Sequence, residues 1–366
     1  MHPIITDTDA LGPVLNALHT APYIAMDTEF LRESTYYPQL CLIQLATPEA
    51  LWLIDPLADH LDLTALWQAL NDATQPIVFH AAEQDLELMH LASGALPRQI
   101  HDTQIAAALL GLGEQMGYAR LVQHLMGQEL DKSQSRTDWS IRPLSPAQCQ
   151  YAADDVRFLR LIYPDLLSRL AQMGREDWFD QECASLNNPD RFQPNDDRQW
   201  RRVRGQQRLN GGELALLQAI ASWREQTARE QDLPRRWVLS DDLALELAVT
   251  PPKSAQTLLA NRLWPKQRTM REAENLFERM ELARQMPAEQ WPQAGRYSKP
   301  DPETASLLVL LQEIVQQVSQ SETIAPSLLA TTDDLLALIR HPEQAHRLTT
   351  GWRNDVIGAR LKSLLP

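Results

Sequence analysis

The chain has 366 residues, of which 44% are hydrophobic and 22% are charged. This composition is typical of a globular protein of two or three domains, and it excludes wholesale disorder. Its three cysteines are far apart, which excludes a disulfide framework and a cysteine-rich zinc site, and no apolar run approaches the roughly 18 residues of a membrane span. Because no basic or apolar leader precedes Asp7, we expect a soluble, cytoplasmic protein without a signal peptide.

The net charge of −14 is unevenly distributed along the chain. Residues 1–190 hold 10 basic and 26 acidic residues, whereas residues 191–366 hold 24 and 22. An acidic balance argues against a nucleic-acid partner, but an acidic half is also suited to hold divalent cations. The arginines that follow this half indicate either a solvated linker helix or a segment that contacts phosphates. They are Arg198, Arg201, Arg202, Arg204 and Arg208.

The first half alternates between short apolar runs of strand length and segments with helical spacing. Strands are predicted at 21–26, 41–46, 51–54 and 76–80, and helices at 61–70, 85–91 and 146–170. From Ile100 onward the pattern is helical almost throughout, and Pro146 opens the longest helix. Strands followed by mixed strands and helices indicate an α/β domain with a mixed sheet.

The second half is predicted to be all-helical, after a linker rich in Asn, Asp and Pro at about 187–195. Within it, a proline stands six positions before a capping residue and an acidic helix start in two places, at an offset of 92. The predicted caps of these two helices are Ser240 and Thr332. Because two copies are too few for a solenoid, the repeat indicates two small helical bundles.

Three places in the first half carry acidic side chains that can act together. Asp27 and Glu29 end a predicted strand, and residues two apart on a strand share a face. Asp85 falls in the first turn of a helix that follows another strand. Tyr151 and Asp155 are four residues apart on a helix and therefore lie on one of its faces.

Each of these features also has an ordinary structural interpretation. Asp27 and Glu29 can be solvated acids at a strand end, with Thr28 between them pointing away. Asp85 can be a helix-start acid that the helix dipole favours. Tyr151 can be a core tyrosine with a satisfied hydroxyl group. The individual features therefore leave the function open.

In their order and spacing, these features resemble the three exonuclease motifs of the DEDD family, over residues 1 to about 170. Tyrosine four residues before the last aspartate resembles the tyrosine branch, because the histidine branch would carry His where this chain has Gln150. Three sequence segments are similar to those of the bacterial ribonuclease D family: Phe79–Asp85, Lys132–Trp139 and Arg142–Leu144. The second half resembles an HRDC domain, which is a helical nucleic-acid-binding module. In the second copy of the repeat, Val315 stands where Trp223 would align. The residues that carry this likeness are Leu217, Trp223, Arg224, Glu225, Ala228, Asp232, Leu233, Pro234 and Asp241.

The resemblance implies a ribonuclease H-like α/β nuclease domain followed by two small all-α bundles. The implied domains are an exonuclease domain at 1–190, a basic linker or helix at 191–209, a first HRDC-like domain at 210–290 and a second, divergent one at 291–366. It also implies a 3′–5′ exoribonuclease that releases 5′-monophosphates from tRNA precursors and other small structured RNAs with a free 3′ end.

The resemblance also implies a set of functional residues. The four carboxylates would hold two divalent ions, Mg²⁺ or Mn²⁺, because hard cations prefer oxygen ligands and four negative charges balance two such ions. These carboxylates belong to Asp27, Glu29, Asp85 and Asp155. Tyr151 would orient the attacking water.

Further residues are candidates for contact with nucleic acid, because cations beside an aromatic ring suit a single strand. They are Phe30, Leu31, His80, Lys132, Gln134, Arg136, Trp139, Arg201 and Arg204. The segment Lys132–Trp139 can equally be an ordinary surface loop, and Phe30 and Leu31 can belong to the core. His80 fits a core histidine better than a metal ligand, and Asp102 fits a helix cap or a residue behind the site.

Two alternative functions stay open at the level of sequence. One is a DNA 3′–5′ exonuclease acting with a helicase or polymerase, because the motifs alone do not separate RNA from DNA. The other is a non-catalytic RNA-binding adaptor, against which the presence of all four carboxylates and Tyr151 argues. For each of these functions, including the exoribonuclease, we expect a monomer that does not associate with membranes.

Overall fold

The computed structural model describes residues 3–193, 195–293, 301–344 and 346–365. Residues 1–2, 194, 294–300, 345 and 366 lie outside the described residues. By its contacts the chain divides into two compact units. The sheet unit comprises Met1–Leu31, Leu40–Phe192 and Lys299–Pro366, and the helical unit comprises Arg32–Gln39 and Gln193–Ser298. None of the helices in the described part of the chain has the length and apolar character that a membrane span requires.

The sheet unit is built around one six-stranded sheet in the order β1-β4-β3-β2-β5-β6. The strands are β1 (Ile4–Ile5), β2 (Ile24–Leu31), β3 (Gln39–Ala46), β4 (Leu51–Ile54), β5 (Ile77–Phe79) and β6 (Ile100–Asp102). The pairs β1–β4, β2–β5 and β5–β6 are parallel, whereas β3 and β4 are antiparallel. This mixed sheet confirms the predicted fold class. The sequence does not predict β1, which has only two residues, or β6, in which His101 and Asp102 interrupt the apolar pattern.

Helices cover both faces of the sheet. They are α1 (Gly12–Thr20), α2 (Thr64–Asp72), α3 (Glu83–Ser93), α4 (Thr103–Leu109), α5 (Tyr118–Met126), α6 (Pro146–Gln172) and α7 (Glu176–Ala184). Ile24 and Met26 of β2 pack into one hydrophobic cluster with residues of α1, α2 and α3. Ala25, between them, packs into a second cluster with residues of α4 to α7. As predicted, α6 begins at Pro146, after Ser145 caps it by accepting the Gln148 N–H.

The helical unit has a hydrophobic core of its own. Its helices are α8 (Gly211–Glu230), α9 (Arg235–Val238), α10 (Asp241–Val249), α11 (Ala255–Leu259) and α12 (Met270–Arg284). The basic segment before α8 forms short 3₁₀ turns, of which Asp196–Arg202 is the longest, and it packs through the buried Trp200 and Val203. Its apolar side chains therefore belong to the core of this unit.

The last helices of the chain belong to the sheet unit. They are α13 (Pro302–Glu322), α14 (Pro326–Leu329), α15 (Thr332–Arg340), α16 (Gly351–Arg353) and α17 (Ala359–Lys362). Leu311 and Val315 of α13 share one buried cluster with Leu109 of α4 and Leu170 of α6. This segment therefore completes the core beside α4 to α7.

The two capped helices that the sequence repeat predicts are both present, with one correction to the caps. Ser240 caps α10 as expected, by accepting the Leu243 N–H. The cap of α15 is Thr331 and not Thr332, because Thr331 accepts the Asp334 N–H while the Asp334 carboxylate accepts the Thr331 N–H. This reciprocal pair fixes the helix start one residue earlier than the sequence pattern indicates.

Candidate active site

The first two acids lie at the end of β2, as the sequence predicts. Ala25 of this strand packs on the face of the sheet that α6 covers, in one cluster with Val156. Because side chains alternate along a strand, Asp27 and Glu29 lie on the same face as Ala25. Both acids are half-buried, and α6 passes over the face on which they stand.

Thr28, between these two acids, takes part in the site although it faces away from them. Its side chain is buried, and its hydroxyl group donates a hydrogen bond of 2.5 Å to Oδ1 of Asp85. Asp85 lies in the first turn of α3 and is itself only 7% exposed. The prediction that Thr28 merely points away is therefore incomplete, because this residue fixes the side chain of the third acid.

The last acid and the tyrosine lie on α6. Tyr151 and Asp155 are one turn apart, and Tyr118 of α5 donates a hydrogen bond of 2.5 Å to the Asp155 carbonyl oxygen. The Tyr151 ring packs beside Trp139, with ring centroids 6.0 Å apart. Burial, followed by the charges of Asp155, Glu29 and Asp27, raises the pKa of the Tyr151 hydroxyl. The hydroxyl group is therefore protonated at neutral pH and lies within electrostatic reach of these acids.

The carboxylates form one electrostatic cluster. Ligand oxygens of Asp27, Glu29 and Asp155 all lie within 4.8 Å of one another. Burial and the charges of the other three acids raise the pKa of Glu29 to about 10. Burial, followed by the charges of Asp154 and Asp85, raises the pKa of Asp155 to about 8.

The two remaining acids respond in the same way. Burial, followed by the charge of Asp155, raises the pKa of Asp27 well above its usual value. Burial, followed by the charge of Asp27, does the same for Asp85. Each acid thus disfavours the ionised form of its neighbours, which is the electrostatic condition of a site that needs cations between its carboxylates. Oxygen-only donors fit hard divalent cations.

Two predicted nucleic-acid contacts are engaged inside the protein. Trp139 is only 2% exposed and packs with Leu144, Cys149 and Ala152, so the expectation that its ring stacks on a base is wrong. His80 uses both ring nitrogens within the sheet unit: Nδ1 lies 2.9 Å from the Thr103 hydroxyl oxygen, and Nε2 lies 2.9 Å from the Met116 carbonyl oxygen. These contacts agree with the interpretation of His80 as a core histidine.

Arg142 explains why Trp139 is buried. Its guanidinium group binds both oxygens of Asp55, at 2.5 and 2.7 Å, and donates to the carbonyl oxygens of Cys41 and Trp139, each at 2.6 Å. These bonds tie the loop before α6 to β3 and to the chain after β4. The sequence pattern does not reveal this role, because a lone arginine in a polar loop reads as exposed.

The other predicted contacts of the sheet unit lie nearer the surface. Phe30 and Leu31 are half-buried at the end of β2, and Leu31 packs against the cluster that contains Trp139. Lys132 and Arg136 are exposed. Gln134 is half-buried and donates to the Ser133 hydroxyl oxygen at 2.9 Å.

The helical unit presents exposed cations. Arg201 and Arg204 are both exposed, and the Arg201 guanidinium lies 5.3 Å from the centre of the Trp200 ring. Arg198, Arg202 and Arg208 of the same segment are exposed as well.

A second exposed feature of this unit lies on α9. Trp237 is 51% exposed beside Arg236, whereas Arg235 is bound to Glu225. Sequence reasoning missed Trp237, and its position directly after two arginines, Arg235 and Arg236, is the signal that could have revealed it.

Comparison with known proteins finds one family model that matches part of the sheet unit and another that matches part of the helical unit. A family model described as 3′–5′ exonuclease matches residues 3–171, and one described as HRDC domain matches residues 213–277. Ribonuclease D of Gluconacetobacter diazotrophicus is 38% identical over 97% of this chain and 90% of its own length. Ribonuclease D of Jannaschia sp. is 39% identical over 99% and 94%. The crystal structure of Escherichia coli RNase D, described as an exoribonuclease involved in structured RNA processing, is 33% identical, with a TM-score of 0.87 over 100% of this chain and 98% of that one.

The sheet, the acid cluster and the family match together define the class: the first part of the chain is a 3′–5′ exonuclease domain of the DEDD type. Similarity over nearly the full length of the chain then narrows the assignment. The chain belongs to the ribonuclease D family, and it is a 3′–5′ exoribonuclease. The predicted family and enzyme class are confirmed, and the DNA exonuclease and the non-catalytic adaptor are set aside.

Proposed function

We propose that this exoribonuclease removes nucleotides one at a time from the free 3′ ends of tRNA precursors and other small structured RNAs, releasing nucleoside 5′-monophosphates. The observation that carries the proposal is the acid cluster, in which oxygens of Asp27, Glu29 and Asp155 lie within 4.8 Å of one another. The description of the E. coli relative as a processor of structured RNA supports the choice of substrate.

Asp27, Glu29, Asp85 and Asp155 would hold two divalent ions, Mg²⁺ or Mn²⁺. Their raised pKa values support this assignment, because burial and mutual repulsion leave charge that divalent cations would balance. Once bound, such ions supply Lewis-acid activation of a water and neutralise charge at the leaving 3′ oxygen during an in-line displacement. Thr28 would keep the Asp85 carboxylate in place, through its 2.5 Å hydrogen bond.

Tyr151 would orient the attacking water. Its hydroxyl group is held in its protonated form by burial and by the nearby acids, so it can donate one hydrogen bond and accept another. Packing of the ring against Trp139 would restrict its motion. Phe30 and Leu31, at the end of the strand that carries Asp27 and Glu29, would lie against the terminal nucleotide.

The exposed cations would contact RNA phosphates. In the sheet unit these are Lys132 and Arg136, beside Gln134, and in the helical unit they include Arg201 and Arg204. Trp237, half-exposed beside Arg236, would offer a ring on which an unpaired base can stack. The domain limits at 190, 209 and 290 belong to this proposal, as do a monomeric state and a cytoplasmic location. Three buried cysteines in the thiol form support this location.

A release assay on matched strands tests the proposal. RNA and DNA of one sequence, and a tRNA precursor with a short 3′ extension, are incubated with Mg²⁺ or with EDTA, and nucleoside 5′-monophosphates are quantified. We expect release from the RNA strand and from the extension, little release from DNA, and none in EDTA. Equal release from DNA, or release that persists in EDTA, would overturn the proposed substrate or metal respectively.

A further inference from the structure

The turn between β5 and α3 is held in an unfavourable conformation. Ala81, in the middle of this turn, has φ of +62°, in the left-handed region that residues with a Cβ atom rarely adopt. Ala82, the residue before the first turn of α3, has no side chain able to cap the helix. The turn therefore needs an outside partner, because strained residues persist only where their surroundings hold them.

Asp102 is that partner. It ends β6, where the parallel ladder pairs it with Phe79, the last residue of β5. Its Oδ1 accepts the Ala81 N–H and its Oδ2 accepts the Ala82 N–H, each at 2.9 Å. Oδ1 also accepts the Gln104 N–H at 2.8 Å, so that the same side chain caps α4. The carboxylate is only 5% exposed, which protects these bonds from water.

Further hydrogen bonds from neighbouring residues hold Asp102 and the turn in place. Thr103 donates its hydroxyl to the Phe79 carbonyl oxygen at 3.0 Å. The backbone N–H of Asp102 points to the Cys183 sulfur of α7, at 3.4 Å. The end of β6 is thus fixed on one side by α7 and on the other holds the turn after β5.

We propose that Asp102 is a positioning residue of the exonuclease site, which acts by setting the start of α3 and therefore the place of Asp85. This inference rests on the proposed role of Asp85 as a metal ligand. Asp85 is three residues beyond Ala82, so a shift of the turn displaces its carboxylate directly. Such displacements are costly, because misplacement of a catalytic group by about 1 Å can lower a rate about 10²-fold.

The test compares two capping aspartates in the full-length protein. Asp102→Ala removes the bonds to the turn, and Asp301→Ala is the control, because Asp301 caps α13 by accepting the Glu303 and Thr304 N–H groups. For each variant we measure kcat and KM on a short RNA, and the Mn²⁺ concentration that produces half of the metal-induced rise in melting temperature. The second readout does not depend on activity.

We expect Asp102→Ala to lower kcat about 10²-fold with little change in KM, and to raise the half-saturating Mn²⁺ concentration about tenfold. Asp102→Asn keeps the oxygen that accepts the Ala81 and Gln104 N–H groups. Its kcat and its half-saturating Mn²⁺ concentration should therefore lie between those of Asp102→Ala and those of the wild type. Asp301→Ala should change neither quantity. Equal kcat and equal Mn²⁺ saturation in Asp102→Ala and the wild type would show that Asp102 is only a helix cap.

If Asp102→Ala does not fold, the comparison moves to the Ala81→Gly background. Glycine adopts positive φ without strain, so Ala81→Gly lowers the cost of the turn to folding, while the hydrogen bonds from Asp102 still set the position of the turn. Adding Asp102→Ala to that variant should still lower kcat and weaken Mn²⁺ binding, and no further loss would overturn the proposal. Failure of the proposed function is distinguishable, because then Asp85→Asn would leave Mn²⁺ saturation unchanged as well.

Discussion

Asp27, Glu29 and Asp155 bring carboxylate oxygens within 4.8 Å of one another in a partly buried site. Ionised groups at this distance repel, and burial adds to the cost, so the pKa of Glu29 rises to about 10. A site arranged in this way lowers the stability of the metal-free protein as the acids ionise. Such a loss at a cluster of acids is typical of functional sites, where stability is given up for binding.

Tyr151 offers the clearest prediction at the scale of one residue. Tyr151→Phe keeps the ring that packs against Trp139 and removes the hydroxyl group. If that group orients the attacking water, kcat should fall about 10²-fold with little change in RNA affinity.

A matched control exists at Tyr163, whose hydroxyl group lies 2.8 Å from Nδ1 of His101. Tyr163→Phe removes a hydroxyl group that lies away from the acids, and it should alter stability without this drop in turnover. Steady-state kinetics on one short RNA compare both variants. An unchanged kcat in Tyr151→Phe would show that Tyr151 has only a structural role, as a core tyrosine.

The sequence predicts the four acids and Tyr151 because their order along the chain resembles the exonuclease motifs of the DEDD family. It does not predict which way an irregular segment turns its side chains. Trp139 is buried because Arg142 ties its loop to Asp55 and to β3, and these contacts join residues about 87 to 101 positions apart. Thr28 is missed for a similar reason, since its partner Asp85 is 57 positions away.

Among the elements, α7 connects two parts of the sheet unit. On one side Cys183 accepts the Asp102 N–H. On the other side Glu182 forms a bidentate ion pair with Arg353, with Nη2 and Oε2 2.8 Å apart, and accepts the Trp352 indole N–H at 2.9 Å. Burial alone would raise the pKa of Glu182, but the hydrogen bonds and charge of Arg353 outweigh it and lower the pKa.

These contacts predict that Arg353 supports the exonuclease domain. Arg353→Ala leaves a largely buried carboxylate without its partner, which costs about 3–5 kcal/mol of unfolding free energy. Because Arg353 is buried, the salt dependence of RNA binding should not change.

The control is Arg360→Ala, which removes an exposed arginine from the same segment. Urea unfolding and RNA binding at three salt concentrations measure both effects. A flatter salt slope in Arg353→Ala, with unchanged stability, would contradict the supporting role.

Element prediction from sequence follows length and periodicity. Helix α6 is predicted to within two residues, because Pro146 marks its start and its apolar positions repeat regularly. Strand β5 is predicted because its three residues are all apolar, whereas β1 has only two residues and β6 contains two polar ones, so the sequence shows no apolar run of strand length at either place. The cap of α15 is missed by one position, because Thr331 and Thr332 are both competent caps and the partner Asp334 decides between them.

At the scale of the whole molecule, the uneven distribution of charge along the sequence corresponds to features of the structure. The acidic first half contains the carboxylate cluster, and exposed arginines are concentrated in the segment before α8. The C-terminal helices α13 to α17 share a hydrophobic cluster with α4 to α7. Truncation before α13 would therefore expose the core of the sheet unit, and it is unsuited to measuring the contribution of these helices to RNA binding.

The central claim is that the carboxylate cluster is the site of RNA hydrolysis, and two adjacent residues of α6 test it. Asp155 belongs to the cluster, whereas Asp154 is paired with Arg157 at 3.5 Å. Both variants, Asp155→Asn and Asp154→Asn, remove one negative charge from the same turn of the helix. The decisive measurement is the rate of nucleoside 5′-monophosphate release from one RNA at saturating Mg²⁺. The account predicts a loss of about 10³-fold or more for Asp155→Asn and a rate within about twofold of the wild type for Asp154→Asn. Near-wild-type release by Asp155→Asn, in a folded protein, would contradict it.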